Sequence, residues 1–251
     1  MEMIRILDHS RIAGLICLHM AAAVLGGPPF QTDDPEPVEY RHWEAYIGSQ
    51  GNLDRHETSL TAPHFEINYG IYPNVQAHLI TPFEFVRPKG EPSHYGYGDT
   101  ELGMKLRFVQ ETEWLPQVGT FPIFRLPTGD KDKELGSGEV QVFVPLWLQK
   151  SWGAWKTYGG GGYWINPGSG NEDYWFFGWE AECEISKNLT LGAEVFHQTA
   201  SDIGGDSSMG FNVGAIVNFS DTGHLLISAG KGSSGPSNGS FYIAYQLTLG
   251  P

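Results

Sequence analysis

The chain has 251 residues and a formal net charge of −14; Gly (33) and aromatic residues (13%) are abundant, while only 18% of it is charged. Such an acidic balance argues against a nucleic-acid partner, because phosphate binding needs clustered Lys and Arg. No run of about 18 apolar residues is present to cross a membrane as a helix, whereas aromatics suit strands and Gly suits turns and close packing.

Residues 1–23 read as a secretory signal peptide. Arg5 and Arg11 make a positive n-region, Ile12–Leu18 and Ala21–Leu25 a short apolar stretch, and Ala21-Ala22-Ala23 a small-residue cleavage site, so the mature chain begins near Val24. The removed piece balances Arg5 and Arg11 against Glu2 and Asp8, so the mature chain keeps the whole −14. Only Cys183 survives cleavage, and no internal disulfide can form. Residues 24–41 follow, a periplasmic N-terminal segment rich in Pro and acid and without periodicity; it reads as a solvated linker entering the rest of the protein from the periplasmic side. Its Asp33, Asp34 and Glu36 could bind Ca²⁺ or touch a partner, but too few ligands converge for a metal site, and no metal or cofactor is expected.

From residue 42 to 251 the chain alternates apolar and polar residues in twelve segments: 42–48, 64–71, 75–86, 99–110, 117–126, 139–150, 154–165, 174–185, 189–199, 208–219, 224–231 and 240–249. Most have about the 9–11 residues that a tilted strand needs to cross a bilayer. Short turns, such as Tyr72-Pro73-Asn74 and Ser186-Lys187-Asn188, alternate with longer polar loops at 49–63, 87–98, 127–138, 166–173, 200–207 and 232–239. A soluble sandwich has no reason to sort its loops by length; a transmembrane barrel does. The expected fold is all-β, a 12-stranded antiparallel transmembrane β-barrel of the outer-membrane type, which also removes exposed sheet edges.

Period two assigns the faces. Leu102, Met104, Leu106 and Phe108 lie outward, as do Trp175, Phe177, Trp179, Ala181, Cys183 and Ile185. The lumen then receives Glu44, Glu66, Glu84, Glu101, Glu180, Glu182, Glu184 and Glu194 against Lys105, Arg107, Arg125 and Lys156, with Tyr46, Phe121, Phe143, Trp147, Tyr158 and Trp164 narrowing it. An acidic lumen favours cations, while opposite charges on neighbouring strands brace the wall. Glu180, Glu182 and Glu184 in one row repel unless cations or basic side chains face them.

The stretch WKTYGGGGYWINPG, residues 155–168, puts four glycines in mid-strand, with Gly160 and Gly162 facing the lumen. An ordinary hairpin at Ser151–Ala154 places Phe143 opposite Gly162 and Pro145 opposite Gly160, an aromatic laid over a bare position. Candidate lumen and solute-path residues are therefore Glu101, Lys105, Arg107, Arg125, Phe143, Trp147, Tyr158, Gly160, Gly162, Trp164, Glu180, Glu182 and Glu184.

PPFQTDDPEPVEYRHWEAYIGSQ (residues 28–50), YGDTELGMKLRFVQETEWLPQVGTFPIFRLPTGD, PLWLQKSWGAWKTYGGGGYWINPG and KNLTLGAEVFHQT together resemble the MetA-type outer-membrane barrel family associated with the meta-pathway of phenol degradation. The resemblance runs from about residue 28 to the C-terminus. It implies an outer-membrane β-barrel passing aromatic or other organic molecules and supplies no catalytic residues. One departure is the end, Leu249-Gly250-Pro251, where substrates of the outer-membrane assembly machinery often carry an aromatic. The function expected is an outer-membrane channel for small organic solutes, with outer-membrane lipid, the solute and the assembly machinery as partners; a non-conducting structural or adhesion barrel is the alternative. A phospholipase-like barrel enzyme needs His and Ser two residues apart on a strand, and only His197-Gln198-Thr199 approaches that, so no enzyme is expected.

Overall fold

The computed structural model describes residues 27–53, 57–232 and 238–251. The signal-peptide expectation for residues 1–23 lies outside them. Fourteen strands form one sheet: β1 (Trp43–Leu53), β2 (Glu57–Tyr72), β3 (Val75–Pro88), β4 (His94–Tyr97), β5 (Thr100–Val109), β6 (Gln117–Thr120), β7 (Ile123–Leu126), β8 (Gln141–Trp152), β9 (Trp155–Ile165), β10 (Tyr174–Ser186), β11 (Leu189–Gln198), β12 (Ser208–Asn218), β13 (Gly223–Gly232) and β14 (Asn238–Leu249). β4 is a short flap paired with β3 alone, and β6 and β7 are two halves of one wall strand between β5 and β8. β1 pairs with β14 and β3 with β5, all antiparallel, so the sheet closes into a barrel of twelve staves.

The expected strand over 117–126 is broken at Phe121–Pro122. Pro122 has no amide hydrogen for the ladder. The β5 amide of Met104 instead reaches the Pro122 carbonyl at 3.1 Å, and Phe121 turns its ring into the lumen. A second difference lies in the expected loop 49–63. It is largely strand, pairing Gln50 with Thr61 and Leu53 with Thr58. Its outward Ser49 and Gly51 carry no apolar signal, so the alternation is invisible there.

The β8–β9 register is displaced by two residues from the expected one. Gly153 adopts a positive φ of 58° and closes a two-residue turn, so Trp152 pairs with Trp155, Phe143 with Trp164, Pro145 with Gly162 and Trp147 with Gly160. The aromatic cover survives this shift. A Cβ on Gly162 would collide with the Phe143 ring, reached diagonally, and one on Gly160 would lie 3.1 Å from the Trp147 ring. On the opposite face Phe177 and Trp179 of β10 cover Gly161 and Gly159.

The faces sort as parity requires. Leu102, Phe108, Val144, Leu146, Trp175, Phe177, Trp179, Met209, Phe211, Val213 and Ile243 all point outward and are exposed, an apolar belt that suits lipid as solvent. Trp43 stacks on Tyr69 at 4.1 Å among further aromatics (Trp114, Trp152, Trp155) at the short-turn end; Tyr163 and Trp175 meet at 4.9 Å at the other. Inside, one core cluster contains Phe121, Ile123, Phe143, Trp147, Trp164, Tyr174 and Phe176, with Phe196 packed on it. A smaller one holds Tyr46, Leu226, Tyr242 and Ala244.

Candidate functional site

The N-terminal segment, expected as a solvated linker, is a strap inside the barrel. Phe30, Thr32, Asp33 and Pro35 are all buried. Bare positions on the lumenal wall receive it. A Cβ on Gly192 or Gly214 would lie 2.7 or 2.9 Å from the Phe30 ring, and one on Gly119 would lie 2.9 Å from Pro35 Cβ. On Gly178 it would strike Thr32. Any larger residue at these four positions would push the strap off the wall.

Polar contacts then fix it. Glu194 of β11 accepts the Gln31 amide (2.8 Å), the Thr32 amide (2.8 Å) and the Thr32 hydroxyl (2.7 Å), and also takes Asn212 Nδ2. Lys105 of β5 bridges Asp33 at 2.9 Å and Asp34 at 3.3 Å. Glu36 lies 3.7 Å from Arg107 and accepts Gln149 Nε2 at 3.0 Å. Gln76 accepts the Val38 amide at 2.8 Å. Burial pushes the Asp33 carboxyl above its ordinary value, against the pull of the Lys105 ammonium. Lys105 and Arg107, two of the four basic residues assigned to the lumen, thus serve the strap, while Arg125 and Lys156 pair with Glu101 and Glu182 of the wall.

The strap and the aromatic cluster fill the β8–β12 side of the lumen. Phe143 stacks on Trp164 at 4.8 Å, Trp164 on Tyr174 at 6.0 Å, and Arg125 lies over Trp164 at 4.8 Å. Glu180 is fully buried behind the strap, and among the described residues neither of its carboxylate oxygens has a partner. Lys156 pairs with Glu182 at 3.0 Å, while Glu184 is exposed at the short-turn end.

Two cavities in series lie along β1–β5 and β12–β14. The outer one, about 300 Å³, is lined by Gln50, Glu57, Thr61, His64, Ile80, Glu84, Asp99, Glu101, Arg125, Gln141 and Asn166, and by Lys131, Glu134, Leu135, Gly136 and Ser137 of the β7–β8 loop. Asp99 holds that loop over the mouth, accepting the Gly129 amide at 2.9 Å and the Ser137 amide at 2.7 Å, and Leu135 is buried beneath it. The inner cavity, about 340 Å³, runs beside the strap past Asp33, Asp34, Glu36, Glu39, Glu44, Tyr46, Glu66, Asn68, Gln76, His78, Glu101, Lys105, Phe121, Leu226 and Tyr242. Gln50, Ile80 and Glu101 belong to both, so the two meet there. A polar chain spans the junction. His78 Nδ1 meets Asn68 Oδ1 at 2.6 Å, His78 Nε2 lies 3.3 Å from Glu101, and Glu101 lies 3.5 Å from Arg125.

A family whose description reads "Putative MetA-pathway of phenol degradation" matches residues 44–249. The chain belongs to this family. Among solved structures it is similar to a COG4313 outer membrane channel from Pseudomonas putida F1, with 16% identity over 86% of this chain and 98% of that one and a TM-score of 0.72. It is similar also to the NanC porin (5% identity, 82% and 100% coverage, TM-score 0.56) and to the translocator domain of the autotransporter NalP from Neisseria meningitidis (12%, 83% and 88%, 0.53). At such identities the likeness concerns the outer-membrane barrel fold alone. No curated protein matches the chain.

The candidate residues fall in different parts of the barrel interior, with Glu184 exposed at the short-turn end. Glu101 and Arg125 line the outer cavity, and Glu101, Lys105, Asp33, Asp34 and Glu36 the inner one. Phe143, Trp147, Tyr158, Gly160, Gly162, Trp164, Glu180 and Glu182 are buried or capped on the filled side, and Arg107 is tied to Asn74 and Gln117. Their face is set by alternation, but which lumenal faces another segment covers is not. His64, Gln76, His78, Asp99 and Tyr242 are lining residues that parity offers, and charge counting passes over all of them but Asp99. The Thr199 hydroxyl accepts the Trp175 amide at 2.9 Å, and among the described residues His197 Nδ1 has no partner.

Proposed function

We propose that the chain is an outer-membrane channel that passes small organic solutes, uncharged or cationic, along the free half of its lumen. The observation that carries this reading is the pair of cavities in series beside the strap, with Asp33, Asp34, Glu36, Glu39, Glu44, Glu66 and Glu101 facing the inner one against Lys105. Low-dielectric walls focus such a field, raising local cation concentration and repelling anions. In this reading the short turns face the periplasm and the latched loop faces outside, as in other bacterial barrels. The family description supports aromatic solutes among those carried. A non-conducting structural barrel is the second reading, favoured by the narrow meeting of the cavities at Ile80, which is 2% exposed. Single-channel recording in planar bilayers under a KCl gradient separates the two. The channel reading expects discrete openings with a cation-selective reversal potential and faster liposome swelling with benzylamine than with benzoate. A silent bilayer would favour the structural barrel, and anion preference would remove the acidic-lumen mechanism.

A further inference from the structure

Two polar side chains stand unsatisfied where the cavities meet. His64 of β2 is 1% exposed, and among the described residues neither ring nitrogen has a partner. Tyr242 of β14 is 8% exposed, and its hydroxyl is likewise unpartnered. Their ring centroids lie 5.8 Å apart. Gly48 of β1, between the two strands, makes room: a Cβ there would lie 2.9 Å from His64 Cε1. His64 lines the outer cavity and Tyr242 the inner one.

Buried polar atoms almost always have a partner, because leaving one unpaired costs about 1–3 kcal/mol. Neighbouring groups of this lumen are satisfied by one another: Glu66 by Asn68, Asn68 by His78, and Glu101 by His78 and Arg125. Among the described residues His64 and Tyr242 are left over, one on the wall of each cavity beside the junction. The wall nearby is mixed: Ile80 and Leu226, each 2% exposed, are apolar, and Gln50 and Glu101 line both cavities beside them.

Resting on the channel reading, we propose that His64 and Tyr242 form a hydrogen-bonding subsite at this throat, selecting small uncharged solutes that carry a hydroxyl on an apolar body. A neutral imidazole offers one donor and one acceptor nitrogen, and a phenol hydroxyl both donates and accepts. An alcohol O–H donates to the free His64 nitrogen while its oxygen accepts from Tyr242, and its hydrocarbon part faces Ile80 and Leu226. An ether of the same shape can only accept and fills half the site. The carboxylates on either side of the throat keep anions from it.

The test is calorimetric binding of 1,4-cyclohexanediol to the purified full-length barrel in detergent, with 1,4-dimethoxycyclohexane as the probe lacking the O–H. The wild type is expected to bind the diol at least tenfold more tightly than the diether. His64→Phe, which keeps the volume and loses the nitrogens, weakens the diol about tenfold, the worth of one neutral hydrogen bond, and leaves the diether unchanged. Tyr242→Phe, which removes one atom from an otherwise intact wall, acts in the same direction even if His64→Phe fails to fold. His64→Gln restores part of the loss. Equal binding of diol and diether, or diol binding unchanged in the variants that fold, overturns the subsite. Single-channel conductance of the same preparations is read separately. Absent conductance with His64-dependent binding would remove the channel reading and keep the site, whereas conductance with His64-independent binding would do the reverse.

Discussion

Lys105 shows how one side chain decides what the N-terminal segment does. It is buried, lies over the Phe121 ring at 5.2 Å, and meets both Asp33 and Asp34. Removing one partner of a buried ion pair strands the other, at a cost of about 3–5 kcal/mol. Lys105→Met therefore leaves Asp33 uncompensated, and the strap should detach, with higher conductance and new protease cleavage between residues 31 and 38. Adding Asp33→Asn should restore part of the protection, because the pair is then removed rather than broken. Unchanged conductance and cleavage in Lys105→Met would mean that Glu194 and the glycine track hold the strap without it. None of this was legible from Lys105 alone. Alternation put it in the lumen, but the TDDPEP composition reads as solvated, and its partners appear only once the closed wall brings β5 and β11 to the same interior.

Strand β9 makes the same point for an element. Its extent, its inward Tyr158 and Trp164 and its outward Trp155 and Tyr163 follow from period two, and the structure places them so. Its register was not legible, because a two-residue turn and a longer one shift the pairing by two while preserving every face. β6 and β7 failed for a different reason: Pro122 interrupts a ladder whose side-chain alternation runs on undisturbed. The glycines of β9 are best read as room for neighbours on both faces, Phe143 and Trp147 within, Phe177 and Trp179 without. Gly162→Phe should therefore overpack the aromatic cluster and lower the heat-modified, folded fraction on gel electrophoresis. Trp155→Phe, on the exposed outer face of the same strand, should leave that fraction near wild type. Equal folding of both would show that the cluster tolerates an added ring and that Phe143 is free to move.

At the scale of the whole molecule, the channel reading expects the strap to set pore size and pore charge together, and the two can be pulled apart. It occupies the glycine track on β6 and β10–β12, so its loss widens the lumen beside the aromatic cluster. It also carries Asp33, Asp34 and Glu36, which neutralise Lys105 and Arg107 of the wall. Deleting residues 28–38 removes those carboxylates and leaves Lys105 and Arg107 without them. The lumen would still hold Glu44, Glu66 and Glu101, so the cation preference should weaken rather than invert. Conductance should rise severalfold at the same time. A simple unblocking predicts larger current at constant selectivity, and a collapsed barrel predicts less current; only a strap that is both obstacle and counter-charge moves the two measurements in opposite directions. The selectivity change should be largest in about 0.01 M salt, where the screening length of about 30 Å exceeds the lumen's width, and should fade near 1 M, where it is about 3 Å. A reversal potential in the deletion variant equal to wild type at low salt would show that the wall carboxylates alone set selectivity and that the strap acts by its volume.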